Sequence, residues 1–144
     1  MITYMEGDIF QSSAQVLVNP VNTTGVMGKG LALEFKKRYP SMFEEYRTLC
    51  ENAQFQVGDL WLYEAPDKWI LNFPTKRHWR EKSTLEIIEI GLQKFVAMFG
   101  EAGIESIAFP KLGSGLGGLD WEAHVRPLME QYLQPLAIEI LIYI

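Results

Sequence analysis

Apolar positions along this chain repeat with two periods, one typical of strands and one typical of helices, and the two periods alternate. Six short apolar runs have the length and composition of β-strands, and they lie at 2–6, 16–18, 58–63, 68–73, 104–109 and 136–144. Four stretches repeat their apolar residues at helical spacing, and they lie at about 30–38, 41–52, 85–99 and 125–133. The order β-β-α-α-β-β-α-β-α-β predicts a three-layer α/β/α sandwich around a mixed, roughly six-stranded sheet. The last run is almost wholly apolar, so we expect its strand to be central.

Turn and cap residues set the expected ends of these elements. Asn19-Pro20 should end the second strand at a turn, and Pro40 should stop the first helix. The segments Ser41 to Glu44 and Ser83 to Glu86 have the spacing of capping boxes, in which side chains bind the free N–H groups of a helix start. Asp120 should cap the start of the last helix.

Two glycine-rich loops follow strands and precede helices. The first carries Gly25, Gly28 and Gly30, and the second runs from Gly113 to Gly117. A strand, a glycine-rich loop and a helix together direct backbone N–H groups at an anion, and glycine lets the backbone approach the ligand closely. We therefore expect two walls around one extended phosphate ligand.

Composition and charge narrow the class of protein. The 144 residues have an ordinary share of apolar and charged side chains, so we expect one domain covering residues 1–144. The formal net charge of −5 argues against broad electrostatic binding of nucleic acid, although it leaves room for a local basic patch. We see no signal peptide and no membrane-spanning run. Cys50 is the single cysteine, which fits a reducing cytoplasm.

Three familiar nucleotide or metal patterns fit poorly. Gly113, Gly115 and Gly118 satisfy the dinucleotide pattern G-x-G-x-x-G, but a dehydrogenase also needs a second half. The segment Gly25 to Gly30 is two residues shorter than a P-loop and lacks its Ser/Thr. His78 and His124 stand without other ligands at metal spacing, so we expect no metal site.

A basic segment follows the fourth predicted strand. Thr75 to Lys82 carries five basic side chains around Trp79. The segment is either a solvated charged face or a path for single-stranded nucleic acid, with arginine on phosphate and tryptophan stacked on a base. The tentative path residues are Arg77, His78, Trp79 and Arg80.

Three motifs together resemble the macrodomain family, an ADP-ribose-binding fold, and the resemblance covers essentially the whole chain. They are Gly7-Asp8-Ile9, the segment V-N-P-V-N-T-T-G-V-M-G-K-G-L-A and the segment P-K-L-G-S-G-L-G-G-L-D-W. Within the family, the chain looks most like the bacterial DarG branch. That branch removes ADP-ribose from thymidine in single-stranded DNA and is the antitoxin of the ADP-ribosyltransferase toxin DarT. The resemblance implies ADP-ribose as ligand and product, no cofactor, and such a toxin as a partner.

The resemblance also implies roles for individual residues. Asp8 and Ile9 should contact the adenine, and Asn22 should hold the distal ribose. Lys76, in a Thr-Lys pair after a strand, matches the catalytic lysine, so the implied catalytic residues are Asn22 and Lys76. The implied ADP-ribose-binding residues are Asp8, Ile9, Thr23, Gly25, Val26, Met27, Gly28, Lys29, Gly30, Leu31, Gly113, Ser114, Gly115, Leu116 and Gly117.

The second loop departs from one branch of the family. A human relative that acts on protein glutamate pairs its lysine with an aspartate, where this chain carries Gly117. We therefore expect hydrolysis of the thymidine linkage through an oxocarbenium-like transition state, with Lys76 assisting the leaving base. Two alternatives stay open: a module that binds ADP-ribose without turnover, and a hydrolase of glutamate- or acyl-linked ADP-ribose.

Overall fold

The computed structural model describes residues 1–144 and contains six strands and four α-helices. The strands are β1 (Ile2–Met5), β2 (Val16–Val21), β3 (Trp61–Glu64), β4 (Trp69–Pro74), β5 (Ser106–Phe109) and β6 (Glu139–Tyr143). The helices are α1 (Gly30–Arg38), α2 (Pro40–Glu51), α3 (Leu85–Met98) and α4 (Arg126–Leu133). A 3-10 turn at Ile9–Gln11 follows β1, and a π-helical turn at Trp121–Val125 leads into α4.

The strands form one sheet in the order β1-β6-β5-β2-β4-β3. Only the β3–β4 pair is antiparallel, so the sheet is mixed, as predicted. β6 pairs with a neighbour on each side, as its apolar sequence indicated.

Helices cover both faces of the sheet, and the residues of β2 show why. Val16 and Val18 belong to the core under α3 and α4, whereas Leu17 and Val21 belong to the core under α1 and α2. Successive side chains of a strand point to opposite faces, so a strand with both faces buried needs a continuous apolar run. The three-layer α/β/α sandwich is therefore confirmed.

The expected end of β2 is wrong, because the strand continues through Asn19 and Pro20 to Val21. Proline cannot donate an N–H group to a ladder. The backbone bonds from β4 reach alternate residues, Gln15 and Val21 among them, so the nitrogen of Pro20 faces the other side. β5 pairs with β2 only at Val16 and Leu17, and no strand therefore needs a donor from Pro20.

The two predicted capping boxes are also wrong. α2 begins at Pro40, without a side-chain cap, because a proline in the first turn lacks only an N–H group that the helix leaves free. Thr84, rather than Ser83, caps α3: its Oγ1 accepts a hydrogen bond from the Ile87 amide at 3.3 Å. Asp120 caps the π-helical turn, as predicted, by accepting from the Ala123 amide.

The topology places five strand ends together. β1, β6, β5, β2 and β4 run parallel and are adjacent, so their carboxyl ends share one edge of the sheet. Open α/β sheets bind ligands at this edge. No helix combines the length and the apolar character that crossing a membrane requires.

Candidate functional site

A cavity of about 820 Å³ lies along the carboxyl ends of the five parallel strands, and this size is within the usual range of ligand sites. Asp8 and Ile9 line it after β1, and Asn22 after β2. Lys76 lines it after β4. The predicted residues that line it are Asp8, Ile9, Asn22, Val26, Gly28, Lys29, Gly30, Leu31, Lys76, Trp79, Arg80, Gly113, Gly115, Leu116 and Gly117.

Six predicted residues do not line the cavity: Thr23, Gly25, Met27, Arg77, His78 and Ser114. Met27 is fully buried, with its sulfur 3.8 Å from the Asn19 amide nitrogen. Gly25 faces α2, since a Cβ there would meet Cys50 and Arg47. The Ser114 hydroxyl donates to the Leu112 carbonyl. These positions build the loops rather than the cavity surface.

The first loop is organised around the side chain of Asn22, which is buried. Its Oδ1 accepts from the Thr24 amide and hydroxyl at 3.0 Å each, and from the Tyr46 hydroxyl at 2.8 Å. Its Nδ2 donates to the Val26 carbonyl at 2.8 Å. Because an amide nitrogen carries two hydrogens, the second N–H group of Asn22 remains available to a ligand.

Tyr46 supports this arrangement from α2. Its hydroxyl is fully buried, and its one hydrogen is shared between Asn22 Oδ1 and the Asn22 carbonyl, each at 2.8 Å. Burial raises the pKa of Tyr46 well above its ordinary value. The phenol therefore stays protonated and remains a hydrogen-bond donor to the loop.

The N-terminus of α1 faces the cavity without a side-chain cap. Gly28, Lys29 and Gly30 line the cavity here, and Lys29, the residue before the helix, makes no capping bond. No acidic residue lies in the first turn. Free N–H groups and the positive end of the helix dipole attract an anion at such a position.

The second loop folds back on itself and leaves no room for a side chain at Gly117. The Leu119 amide donates to the Gly113 carbonyl at 2.9 Å, and Gly113 has a φ of +67°. A Cβ at Gly117 would lie 2.4 Å from Ser83 Oγ and 2.5 Å from the Gly113 carbonyl oxygen. An aspartate at position 117 does not fit this loop.

The two glycine-rich loops meet across the cavity. A Cβ on Gly30 would lie 3.1 Å from a methyl group of Leu116. The side chain of Leu116 is nevertheless 65% exposed, so it stands over the cavity without filling it.

Lys76 lies between two backbone links to the first loop. Before it, the Thr75 amide donates to the Val21 carbonyl at 2.8 Å. After it, the amide and hydroxyl of Thr23 both donate to the Arg77 carbonyl, at 3.0 and 2.9 Å. These bonds continue the β2–β4 pairing beyond the strand ends and hold Lys76 beside Asn22.

Charge in the cavity is opposite to that of the whole chain. Five cationic side chains line it against two carboxylates, although the chain carries a formal net charge of −5. The cationic residues are Lys29, Lys76, Arg80, Lys82 and Lys111, and none forms an ion pair, since the four pairs in the structure involve only Arg47 and Arg126. A cleft lined by one sign of charge concentrates ligands of the other sign.

Sequence reasoning missed several cavity residues that directly follow strands. Lys111 comes after β5, and Tyr143 and Ile144 come at the end of β6. The parallel pairing of Met5 with Tyr143 brings the end of β6 beside Asp8. The rule that ligands lie at carboxyl strand ends gave the signal for all three. No group of three or more histidine, cysteine, aspartate or glutamate residues lies close enough to hold a metal ion.

Comparison with known proteins gives consistent similarities. The model of the Macro domain family matches residues 18–128. The chain is 42% identical over 147 residues to a DNA ADP-ribosyl glycohydrolase of Mycobacterium tuberculosis, covering 99% of this chain and 42% of the relative. It is 40% identical over 148 residues to a DNA ADP-ribosyl glycohydrolase of Thermus aquaticus, covering 99% of this chain and 41% of that relative. The chain thus spans about two fifths of the length of these curated relatives.

Solved structures agree with the sequence similarities. The macrodomain of Thermus aquaticus DarG superposes with a TM-score of 0.93 at 40% identity, covering 100% of this chain and 98% of that one. The structure of Thermosipho africanus DarTG in complex with ADP-ribose superposes with a TM-score of 0.92 at 41% identity. It covers 99% of this chain and 41% of that one.

Proposed function

This chain belongs to the macrodomain family, and from that premise we propose that it hydrolyses the bond between ADP-ribose and thymidine in single-stranded DNA. The observation that carries the proposal is that Asn22 and Lys76 line one cavity with both glycine-rich loops. The curated relatives at 40% and 42% identity bear the name DNA ADP-ribosyl glycohydrolase, which supports the choice of linkage.

The cavity suggests one orientation for ADP-ribose. The adenine lies beside Asp8 and Ile9, at the β1 end of the row of strands. The diphosphate lies between the uncapped N-terminus of α1 and the loop at 113–117, where backbone N–H groups can bind it. The distal ribose then reaches Asn22 and Lys76 at the β4 end.

Hydrolysis requires the bond between ribose C1″ and thymine to break with the bonding electrons on the base. The transition state resembles an oxocarbenium ion. Water supplies the hydroxyl that C1″ gains, thymine gains a proton from the lysine, and the proton that water loses restores the lysine. The Lys76 ammonium stabilises the departing base and donates that proton. The free N–H group of Asn22 holds a ribose hydroxyl, so that the sugar is aligned with Lys76.

The second loop favours this route over one in which the lysine forms a covalent bond to ADP-ribose with the help of an aspartate. Position 117 has no space for a side chain. Asp120, three residues later, accepts a hydrogen bond from the Ala123 amide at the π-helical turn and does not line the cavity. The reaction that we propose uses no metal ion and no cofactor.

The wider context of the chain is part of the proposal. A Thermosipho africanus relative, 38% identical, is a fusion of a DNA ADP-ribosyl transferase and a DNA ADP-ribosyl glycohydrolase. We therefore propose that residues 1–144 act as one macrodomain that reverses the modification made by a cognate ADP-ribosyltransferase toxin. A substrate of this kind places the protein in the cytoplasm, with the DNA.

The deciding experiment offers two substrates to the wild type and to Lys76→Ala. One is an oligonucleotide ADP-ribosylated on thymidine, and the other is a protein ADP-ribosylated on glutamate. We expect the wild type to release ADP-ribose from the DNA and Lys76→Ala to release little, while both bind free ADP-ribose in calorimetry.

Other results lead to other conclusions. Release from neither substrate, with ADP-ribose still bound, would reduce the protein to a binding module. Release from the protein alone would point to an ester hydrolase. If Lys76→Ala still released ADP-ribose from the DNA, the lysine would not have the role that we propose.

A further inference from the structure

The segment after Lys76 forms a rigid turn at the rim of the cavity. The Glu81 amide donates to the His78 carbonyl at 3.0 Å, which closes a four-residue turn. The Arg80 amide donates to His78 Nδ1 at 3.1 Å, which fixes the imidazole ring against the turn. Trp79 and Arg80 therefore occupy its two central positions.

The flat groups of these residues form a stack that solvent can reach. The rings of His78 and Trp79 lie 5.8 Å apart, with their planes at 25°. The Arg80 guanidinium lies 4.6 Å from the Trp79 ring centre. Trp79 is 41% exposed, and it is the only aromatic residue among the large apolar side chains that are exposed.

Both ends of the turn are attached to the glycine-rich loops. Thr23 holds the Arg77 carbonyl on the first loop with two hydrogen bonds. The Ser83 amide donates to the Gly117 carbonyl on the second loop at 3.0 Å. A surface held in this way loses little conformational entropy when a ligand binds.

We propose that the stack of His78, Trp79 and Arg80 receives a DNA base next to the ADP-ribosylated thymidine. This inference rests on the proposed function. Base stacking on aromatic and guanidinium planes is the usual mode of single-strand binding and tolerates any sequence. Arg77 and Lys82 are exposed on either side of the turn and supply positive charge for the adjacent phosphates.

The position of the turn supports this occupant. Trp79 and Arg80 follow Lys76 by three and four residues and line the same cavity. In the proposed reaction, the thymine leaves beside Lys76, so the neighbouring bases of the strand pass close to the turn. The rest of the chain is acidic, so a strand is retained by a short local path rather than by the field of the whole molecule.

The test compares two substrates that share the bond to be cleaved. One is thymidine monophosphate carrying ADP-ribose, and the other is an oligonucleotide carrying the same group at one thymidine. We expect Trp79→Ala to raise KM for the oligonucleotide roughly 10- to 100-fold, with a much smaller change for the mononucleotide. Trp79→Phe keeps an aromatic face and should retain most of the oligonucleotide affinity.

A second measurement works without turnover. Fluorescence anisotropy with an unmodified, labelled single-stranded oligonucleotide should show binding to the wild type and to Trp79→Phe. Binding to Trp79→Ala should be at least tenfold weaker, a loss of the size expected when one base no longer stacks on an aromatic ring. This measurement separates the inference from the proposed function, because it succeeds or fails whether or not ADP-ribose is released.

Several results would overturn the inference. Equal losses on the two substrates would place Trp79 in the ADP-ribose pocket rather than beside the strand. Unchanged KM for the oligonucleotide together with unchanged anisotropy would exclude a base on the stack. A Trp79→Ala defect confined to ADP-ribosylated protein would show that the turn contacts protein instead.

Discussion

The amide and the hydroxyl of Thr23 donate to a single acceptor, the carbonyl oxygen of Arg77, at 3.0 and 2.9 Å. Two donors on one oxygen fix the distance between the first glycine-rich loop and the segment that carries Lys76. The geometry between Asn22 and the lysine therefore depends on a residue that does not line the cavity itself.

Replacing Thr23 tests this dependence. Thr23→Val keeps the shape and the backbone donor but loses the hydroxyl, and Thr23→Ser keeps both donors. We expect Thr23→Val to lower kcat roughly 2- to 10-fold, the worth of one hydrogen bond, with little change in the ADP-ribose Kd. Single-turnover assays and calorimetry would measure the two quantities. Equal kcat for the valine and serine variants would contradict this role.

Replacing Gly117 tests the closed shape of the second loop. We expect Gly117→Ala to weaken ADP-ribose binding at least tenfold, because its Cβ would overlap Ser83 Oγ and the Gly113 carbonyl oxygen. Adding Ser83→Ala should not restore binding, since the backbone oxygen remains. Gly100→Ala is the control, because a Cβ there meets nothing within 4 Å. Wild-type affinity in Gly117→Ala would show that the loop relaxes freely.

Replacing Tyr46 tests the support of Asn22. Tyr46→Phe removes the one hydroxyl hydrogen that Asn22 Oδ1 and the Asn22 carbonyl share, each at 2.8 Å, from a fully buried site. We therefore expect a loss of about 1–3 kcal/mol in the free energy of unfolding and slower turnover. Tyr39→Phe loses only an exposed bond to Asp67 and should cost much less. Urea denaturation of the wild type and the two variants measures the free energy of unfolding. Equal losses for Tyr46→Phe and Tyr39→Phe would contradict the idea that Tyr46 supports Asn22.

Alkaline pH should destabilise the protein through the same phenol. The folded-state pKa of Tyr46 is raised by burial, so its stabilising contribution is complete below the unfolded pKa of about 10 and declines above it. The unfolded chain then releases a proton that the folded chain keeps, a slope of about 1.4 kcal/mol per pH unit. Unfolding curves between pH 9 and 11 should show this decline.

The matching control for the pH effect is Tyr46→Phe. Its free energy of unfolding should fall less steeply with pH, because unfolding of this variant releases one proton fewer. Burial also raises the pKa values of Tyr4 and Tyr39 to about 12, so part of the decline should persist. Identical slopes for wild type and Tyr46→Phe would assign the whole effect to other groups.

Reversing charges beside the turn tests the DNA path. Arg77→Glu/Arg80→Glu should slow turnover of the oligonucleotide and reduce the dependence of its binding on salt. The loss of ADP-ribose affinity should be smaller, although Arg80 also lines the cavity. Lys37→Glu/Lys94→Glu makes the same change of charge on α1 and α3, away from the cavity. Equal effects of the two double variants would show that net charge, rather than a local DNA path, determines oligonucleotide binding.

Much of the fold could be predicted because each element carries its own pattern. The apolar run of β2 gave a strand buried on both faces, and the glycines before α1 indicated a loop open to a ligand. The boundaries were harder. Pro20 reads locally as a turn, and only the early end of β5 explains why the strand continues. Pro40 likewise starts a helix for which the sequence indicated a cap at Ser41.

The site could be predicted less completely, since most of what was missed depends on the order of the strands. Lys111 lies within the motif of the second loop, where no role was predicted for it, and Tyr143 has no motif around it. Both reach the cavity because β5 and β6 lie between β1 and β2. The bonds of Asn22 to Thr24 and Val26 are local, but its bond from Tyr46 and the attachment of the turn by Thr23 join residues that are distant in sequence, which no local spacing encodes.

The lack of space at Gly117 also constrains how this site can change. A carboxylate at that position must come with a smaller or displaced residue at Ser83 and a different path for the Gly113 carbonyl. A switch to a hydrolysis that uses a carboxylate at position 117 would then require several coordinated substitutions rather than one exchange at Gly117.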